Sequence, residues 1–387
     1  MIYLDNNAST RPAPEVSEAV CQALDGFYGN PSSGHRYGLL ARSRIEWARQ
    51  RVAALIGAEP AEIYFTSGAT ESNNIAIFGA AALVRDFFPG GGPGHIISQQ
   101  TEHPAVLNPL KALQARGIEV TLLPVDGNGT VSLEALENEI RPDTVLVTIM
   151  HANNETGVVQ PIREAAGICR ARNEKTLFHT DAAQSVGKIP VGIGALGADM
   201  LSIAAHKFHG PKGIGVLYIK KGLPLKNVIM FGAGHERGMR PGTENTPYIA
   251  GLGKACELAE KELPMRMKRL QGLRDMLFGL LSAELPGVKI NGGGAEKRLP
   301  NTLNISIPGV DGNLLVEALK DSVAISAGSA CHEGRRSPSP VLKAMGAGDD
   351  EAFSSVRITL GRENTEEEIK EAAENLRKAA LRLAQAR

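Results

Sequence analysis

From about residue 45 to residue 220, short apolar runs rich in β-formers alternate with helix-length amphipathic segments. Strands separated by helical stretches restrict such a chain to an α/β sheet in mostly parallel order. Ile63-Tyr64-Phe65-Thr66 reads as a strand, followed by a glycine turn and a helix starting near Glu71. His95–Ser98, Glu119–Leu123, Thr176–Thr180, Met200–Ile203 and Gly215–Ile219 continue the series. Thr144–Met150 is apolar on both faces, as a strand buried in a parallel sheet must be.

Beyond about Gly251 the texture changes. Ala255–Leu281 is a long charged helical stretch, expected to break or kink around Pro264. Two strand-like runs, Thr302–Ile307 and Ser355–Leu360, flank a helix near Gly312–Leu319. Residues Thr365–Arg387 form a terminal helix that the pattern Asn364-x-x-Glu367 is expected to cap. The chain of 387 residues is long enough for two domains. The reading is a large domain over 15–254 and a smaller α+β domain made of 1–14 plus 255–387. Gly90–Gly94 reads as a surface loop without a phosphate motif.

The balance of 42 basic against 42 acidic residues argues against an electrostatic grip on nucleic acid or an acidic membrane. The longest apolar candidate, Ile75–Val84, is half the length of a bilayer span. The start, Met1-Ile2-Tyr3-Leu4-Asp5, lacks the basic region of a signal peptide. Cys21, Cys169, Cys256 and Cys331 lie far apart, with no C-x-x-C pair. No disulfide framework or metal site is expected, and a reducing cytoplasm is the default.

Three local patterns carry chemistry. Lys207 directly follows an apolar strand, in Ala204-Ala205-His206-Lys207-Phe208-His209-Gly210, where a Schiff-base lysine competes with an ordinary surface lysine. Asp181 ends an apolar strand and suits a pyridinium nitrogen, or else simply caps the next helix. Ser67–Asn74 leaves a strand and opens a helix whose N–H groups suit an anion, or is only a capped helix start. An anion cradle, an Asp and a Lys in that order fit pyridoxal phosphate.

The segments Tyr3–Thr10, Thr66–Asn74, Thr101-Glu102-His103, Asn153–Gly157, Asp181–Gln184, His206-Lys207, Arg240–Asn245 and Ser329-Ala330-Cys331 resemble the cysteine desulfurases of the nitrogen-fixation and iron–sulfur-cluster type. The resemblance covers nearly the whole chain. It implies the aspartate-aminotransferase-like fold type I, with pyridoxal 5'-phosphate as cofactor, L-cysteine as substrate and alanine as product. It assigns the cofactor to Lys207, its ring nitrogen to Asp181 and its phenolic oxygen to Gln184 and Asn154. His103 would stack on the ring and move protons. Ala69, Thr70 and His206 would hold the phosphate, joined by Thr243 from the other subunit of a homodimer. Arg357 would clamp the substrate carboxylate, and Asn154 would also face the substrate. Cys331, in a polar glycine-flanked loop expected to be mobile, would take the sulfur as a persulfide for a cluster scaffold or thiolation protein. Cys21, Cys169 and Cys256 are assigned to packing. One departure stands out: Ala204 occupies a position where the family usually has a phosphate-binding Ser. Some selenocysteine lyases share that departure and an Ala-Cys-His sequence at the reactive loop, so selenocysteine lyase is the alternative.

Overall fold

The computed structural model describes residues 1–84, 94–328, 330–332 and 335–385, with only the backbone at 330–332 and 335–336. After a short strand β1 (Ile2–Tyr3), helices α1 (Pro14–Gly26) and α2 (Arg36–Ile56) precede the main sheet. That sheet contains β2 (Ile63–Thr66), β3 (His95–Gln99), β4 (Glu119–Leu123), β5 (Thr144–Thr148), β6 (Leu177–Asp181), β7 (Met200–Ala204) and β8 (Gly215–Ile219), in the order β2-β8-β7-β6-β5-β3-β4. Strands β4, β3, β5, β6 and β7 pair in parallel, and β8 runs antiparallel between β7 and β2.

Every residue of β3, β5, β6, β7 and β8 is buried, which explains their near-continuous apolar runs. Their polar side chains find partners inside the sheet. His179 on β6 bridges Thr148 Oγ1 at 2.8 Å and Ser202 Oγ at 3.0 Å. Burial pushes its pKa down to about 3, so it sits there as a neutral imidazole.

Thr246–Glu284 is one helix of 39 residues that runs unbroken through Pro264, against expectation. Its first half packs Ile249, Leu252, Ala255 and Cys256 against Val16, Ile45 and Val52 of α1 and α2. Its second half packs Leu270, Leu273, Leu277 and Leu281 against a separate core. Burying four leucines at about 1.5–3 kcal/mol each outweighs the roughly 3 kcal/mol of an interior proline. The helix therefore crosses the expected boundary at residue 254.

The second core gathers both ends of the chain. Ile2 and Leu4 pack with Leu303, Ile305, Val356, Ile358, Ile369 and Leu376. Here β9 (Lys289–Ile290), β10 (Thr302–Ser306), β12 (Ser326–Ala327) and β15 (Ser355–Thr359) form an antiparallel sheet in the order β12-β15-β10-β9. β1 pairs in parallel with β11 (Val323–Ala324). The last helix, Glu366–Gln385, is capped one residue later than expected. Thr365 Oγ1 accepts from Glu368 N–H, and the Glu368 carboxylate accepts from Thr365 N–H, both at 3.3 Å. Asn364 instead accepts from Gly361 N–H at 2.7 Å.

Two expectations fall elsewhere. Cys21 is exposed, because α1 buries Val16, Ala19 and Ala23 and position 21 lies on the opposite face. The loop at Gly90–Gly94 lies outside the described residues except for Gly94. Cys169 and Cys256 are buried, and burial raises both thiol pKa values.

Gly215 sets the approach of α3 (Ala69–Ala81) to the sheet. A Cβ there would lie 2.6 Å from Gly68 Cα and 2.6 Å from the Ile203 carbonyl oxygen. Gly215→Ala is expected to cost about 1–3 kcal/mol through overpacking. A lowered urea midpoint would register that cost, and an unchanged midpoint would show that the β2–α3 turn adapts freely.

Candidate active site

Strands β2, β3, β5, β6 and β7 all deliver their C-terminal ends to one cavity of about 610 Å³, where ligands bind in open α/β sheets. Ala69, Thr70, His103, Asn154, Asp181, Gln184, His206, Lys207 and Arg357 all line it. The sequence separates these residues by nearly three hundred positions; the main sheet, with β15 of the second core for Arg357, brings them to one cavity.

Lys207 closes the turn that follows β7. Its Nζ donates to the carbonyl oxygens of Asn7 at 2.7 Å and Ala8 at 2.9 Å. Burial and the nearby Arg357 pull its pKa down to about 8, against the smaller opposing influence of Asp181 and Asp5. An amine in that range is a usable nucleophile and base near neutrality. Asp181, at the end of β6, is held from both sides: Oδ1 accepts from Ala183 N–H at 2.9 Å and Oδ2 from Asn73 Nδ2 at 2.7 Å.

His103 caps the helix Pro104–Gln114, its Nδ1 accepting from Ala105 N–H at 3.0 Å. That bond places the imidazole proton on Nε2, and burial lowers the ring's pKa. His206 is likewise neutral, its pKa down to about 4 through burial and then the charges of Lys207, Lys212 and Lys188. Its Nδ1 lies 3.3 Å from Ser9 Oγ, and Ser9 also lines the cavity. At the mouth of α3, Ser67 N–H donates to Glu71 at 2.8 Å, and Arg240 Nε binds the same carboxylate at 3.0 Å.

Arg357, on β15, reaches the cavity from the second core. Nη2 donates to Asp5 Oδ1 at 2.7 Å and Ser326 Oγ at 3.1 Å, and Nη1 to the Asn154 carbonyl at 3.2 Å. Its Nε is buried and has no hydrogen-bond partner among the described residues. These three hydrogen bonds fix the orientation of the guanidinium at the cavity wall.

The sequence matches the family model of the class-V aminotransferases over residues 2–371. It is 47% identical over 386 residues to the cysteine desulfurase IscS of Aeromonas hydrophila subsp. hydrophila, covering 99% of this chain and 93% of that one. The chain belongs to the cysteine desulfurase family. A solved structure titled NifS-like protein matches with a TM-score of 0.89 at 40% identity, covering 97% of this chain and 98% of that one. A structure titled SspA in complex with cysteine matches with a TM-score of 0.82 at 35% identity, covering 94% of this chain and 100% of that one. The fold is that of the fold type I enzymes, and the family depends on pyridoxal phosphate.

The residues present fit such a cofactor. A cavity wall that combines a primary amine, a buried strand-end carboxylate and the first N–H groups of a helix matches an aldehyde, a pyridinium and a phosphate in turn. Two expected residues stand apart. Thr243 is exposed and does not line its own chain's cavity. The side chain of Cys331 lies outside the described residues; its backbone belongs to the hairpin β13 (Ala330–His332) and β14 (Arg335–Ser337), two residues beyond β12. At the position of the missing Ser, Ala204 lines the cavity, while Ser202 lies buried in the sheet against His179 and cannot replace it.

Sequence reasoning also missed Asn7, Ala8 and Ser9, which line the cavity, and Asp5, which pairs with Arg357. The motif Tyr3–Thr10 was their signal, but nothing in it says that the N-terminus crosses the active site.

In cofactor-free protein, Lys207 is expected to react with an amine-directed acylating reagent along a titration curve centred near pH 8. Peptide mapping of the modified lysine against pH measures this, and a midpoint near 10.4, the value of an exposed lysine, would contradict the buried placement.

Proposed function

We propose that this desulfurase holds pyridoxal phosphate on Lys207 and converts L-cysteine to L-alanine, leaving the sulfur as a persulfide on Cys331. The observation that carries the reading is that Lys207, Asp181 and Arg357 converge on one cavity. The cysteine complex of the related SspA supports the choice of substrate.

When bound, the cofactor supplies an electron sink for charge developing at the substrate's Cα. The chain's own residues do the rest. Asp181 would keep the ring nitrogen protonated, and Gln184 and Asn154 would bond the phenolic oxygen. His103 would lie against the ring. Ala69, Thr70 and His206 would hold the phosphate, the neutral His206 giving a hydrogen bond without adding charge.

Arg357 and Asn154 orient the substrate, with the Arg357 guanidinium pairing with its carboxylate. Lys207 takes and returns the proton at Cα. His103 Nε2–H supplies an uncharged donor on the cavity wall. The Cys331 thiolate attacks the substrate sulfur and the carbon–sulfur bond breaks. Its electron pair stays with the carbon fragment, which gains a proton to become alanine.

Thr243 is exposed, as is the apolar run Val228, Ile229, Met230 and Phe231 earlier in the same connection. Both suit a homodimer in which Thr243 completes the phosphate site of the second copy. A cluster scaffold or thiolation protein in the cytoplasm then takes the persulfide sulfur.

Borohydride reduction of the yellow protein is expected to fix the cofactor on Lys207, and Lys207→Ala to lose both the colour and alanine formation. Attachment at another lysine would refute the assignment. His103→Gln should lower alanine formation by about 10²–10⁴-fold, the usual contribution of a positioned acid or base, with cofactor content unchanged. Cys331→Ser should keep the cofactor yet lose sulfur transfer from cysteine, because a hydroxyl is a poor nucleophile toward sulfur. Full turnover of selenocysteine by that variant, alongside poor turnover of cysteine by the wild type, would favour the selenocysteine lyase alternative.

A further inference from the structure

Lys188 is a buried lysine that the mechanism above does not use. It lies one turn beyond Gln184 in the segment after β6, 7% exposed. Both partners of its Nζ are neutral amide oxygens: Gln184 Oε1 at 2.6 Å and Asn7 Oδ1 at 2.8 Å. Burial, with Lys207 and Arg357 nearby, drives its pKa well below that of an ordinary lysine, which favours the uncharged amine. A buried amine is an expensive way to fill space, so its two hydrogen bonds need a use.

Those bonds decide which end of each amide faces the cavity. A side-chain amide has a donor end and an acceptor end that occupy nearly the same volume. Because Lys188 donates to Oε1, the Nε2 of Gln184 must point the other way. There it gives one hydrogen to the Asn7 carbonyl oxygen at 3.0 Å and has a second for the cavity that Gln184 lines. A flipped Gln184 would take the acceptor away from the Lys188 N–H and set acceptor against acceptor at the Asn7 carbonyl.

Asn7 is fixed in the same way. Its Oδ1 accepts from Lys188 and from Asn301 Nδ2 at 3.1 Å, so its Nδ2 faces Thr302 Oγ1 at 2.9 Å and the Asn154 carbonyl oxygen at 3.2 Å. The Asn7 carbonyl oxygen also accepts from Lys207.

We propose that Lys188 is a positioning residue that holds Gln184 in the orientation presenting N–H, not C=O, to the phenolic oxygen of the cofactor. This rests on the reading of the cavity as a pyridoxal phosphate site. An N–H donor draws charge from that oxygen and makes the neighbouring imine nitrogen a weaker base. Losing the donor therefore raises the pH midpoint at which the visible band of the bound cofactor changes.

The test compares that midpoint in holoenzyme variants. Lys188→Met should raise it by about 0.5–1 pH unit, the equivalent of one ordinary hydrogen bond. Gln184→Met should move it in the same direction by at least as much. The double variant should match Gln184→Met alone, because Lys188 acts through Gln184. Lys188→Gln, which keeps an N–H donor for Gln184 Oε1, should bring the midpoint back toward wild type. Lys188→Leu serves as a second apolar replacement if the Met variant does not fold. Shifts that add in the double variant, or a wild-type midpoint in Lys188→Met, would overturn the proposal. A wild-type protein with no visible band would instead refute the cofactor reading.

Discussion

The carbonyl oxygen of Asn7 accepts hydrogen bonds from Lys207 at 2.7 Å and Gln184 at 3.0 Å, and the arrangement of the cavity depends on this junction. The side chain of Asn7 binds Lys188, Asn301 and Thr302, so one residue joins the main sheet, the second core and the N-terminal segment. Asp5, two residues earlier, pairs with Arg357. The N-terminal strand is anchored by β11 and by Ile2 and Leu4 in the second core. Apolar burial in the second core thereby fixes polar contacts at the site.

The second constraint is electrostatic. Lys207, Lys188 and Arg357 are gathered close together, with Asp181 and Asp5 as the carboxylates that offset them. Crowding and burial leave the amines less charged than surface lysines. The histidines around them, His103 and His206, stay neutral for the same reason. A neutral His206 and a pre-oriented Arg357 are what a site needs to hold two anionic groups without collapsing onto one of them.

Much of this was legible in the sequence, and the limits have physical causes. Strands β3, β5, β6 and β7 were readable because they are buried on both faces, while the edge strand β4 and the antiparallel β8 match the expected bounds residue for residue. Lys207, Asp181 and the start of α3 stood out because each lies at or just past the end of an apolar strand. Periodicity misjudged Pro264, since the two cores that hold its helix together come from distant parts of the chain. Cys21 was misplaced because a small apolar residue says little about which helix face it occupies. Lys188 gave no local signal, and the motif that holds Asn7 does not reveal their contact across 181 positions.

Cysteine desulfurase chemistry at this site requires that sulfur leave the substrate for one particular thiol. The most direct measurement is peptide mass mapping after a brief exposure of the holoenzyme to L-cysteine, with alanine counted in the same sample. The account predicts one additional sulfur atom on the Cys331 peptide, in proportion to the alanine formed in the first turnover, and none on the Cys21, Cys169 or Cys256 peptides. Alanine formed with no sulfur on Cys331, or sulfur found first on the exposed Cys21, would contradict it.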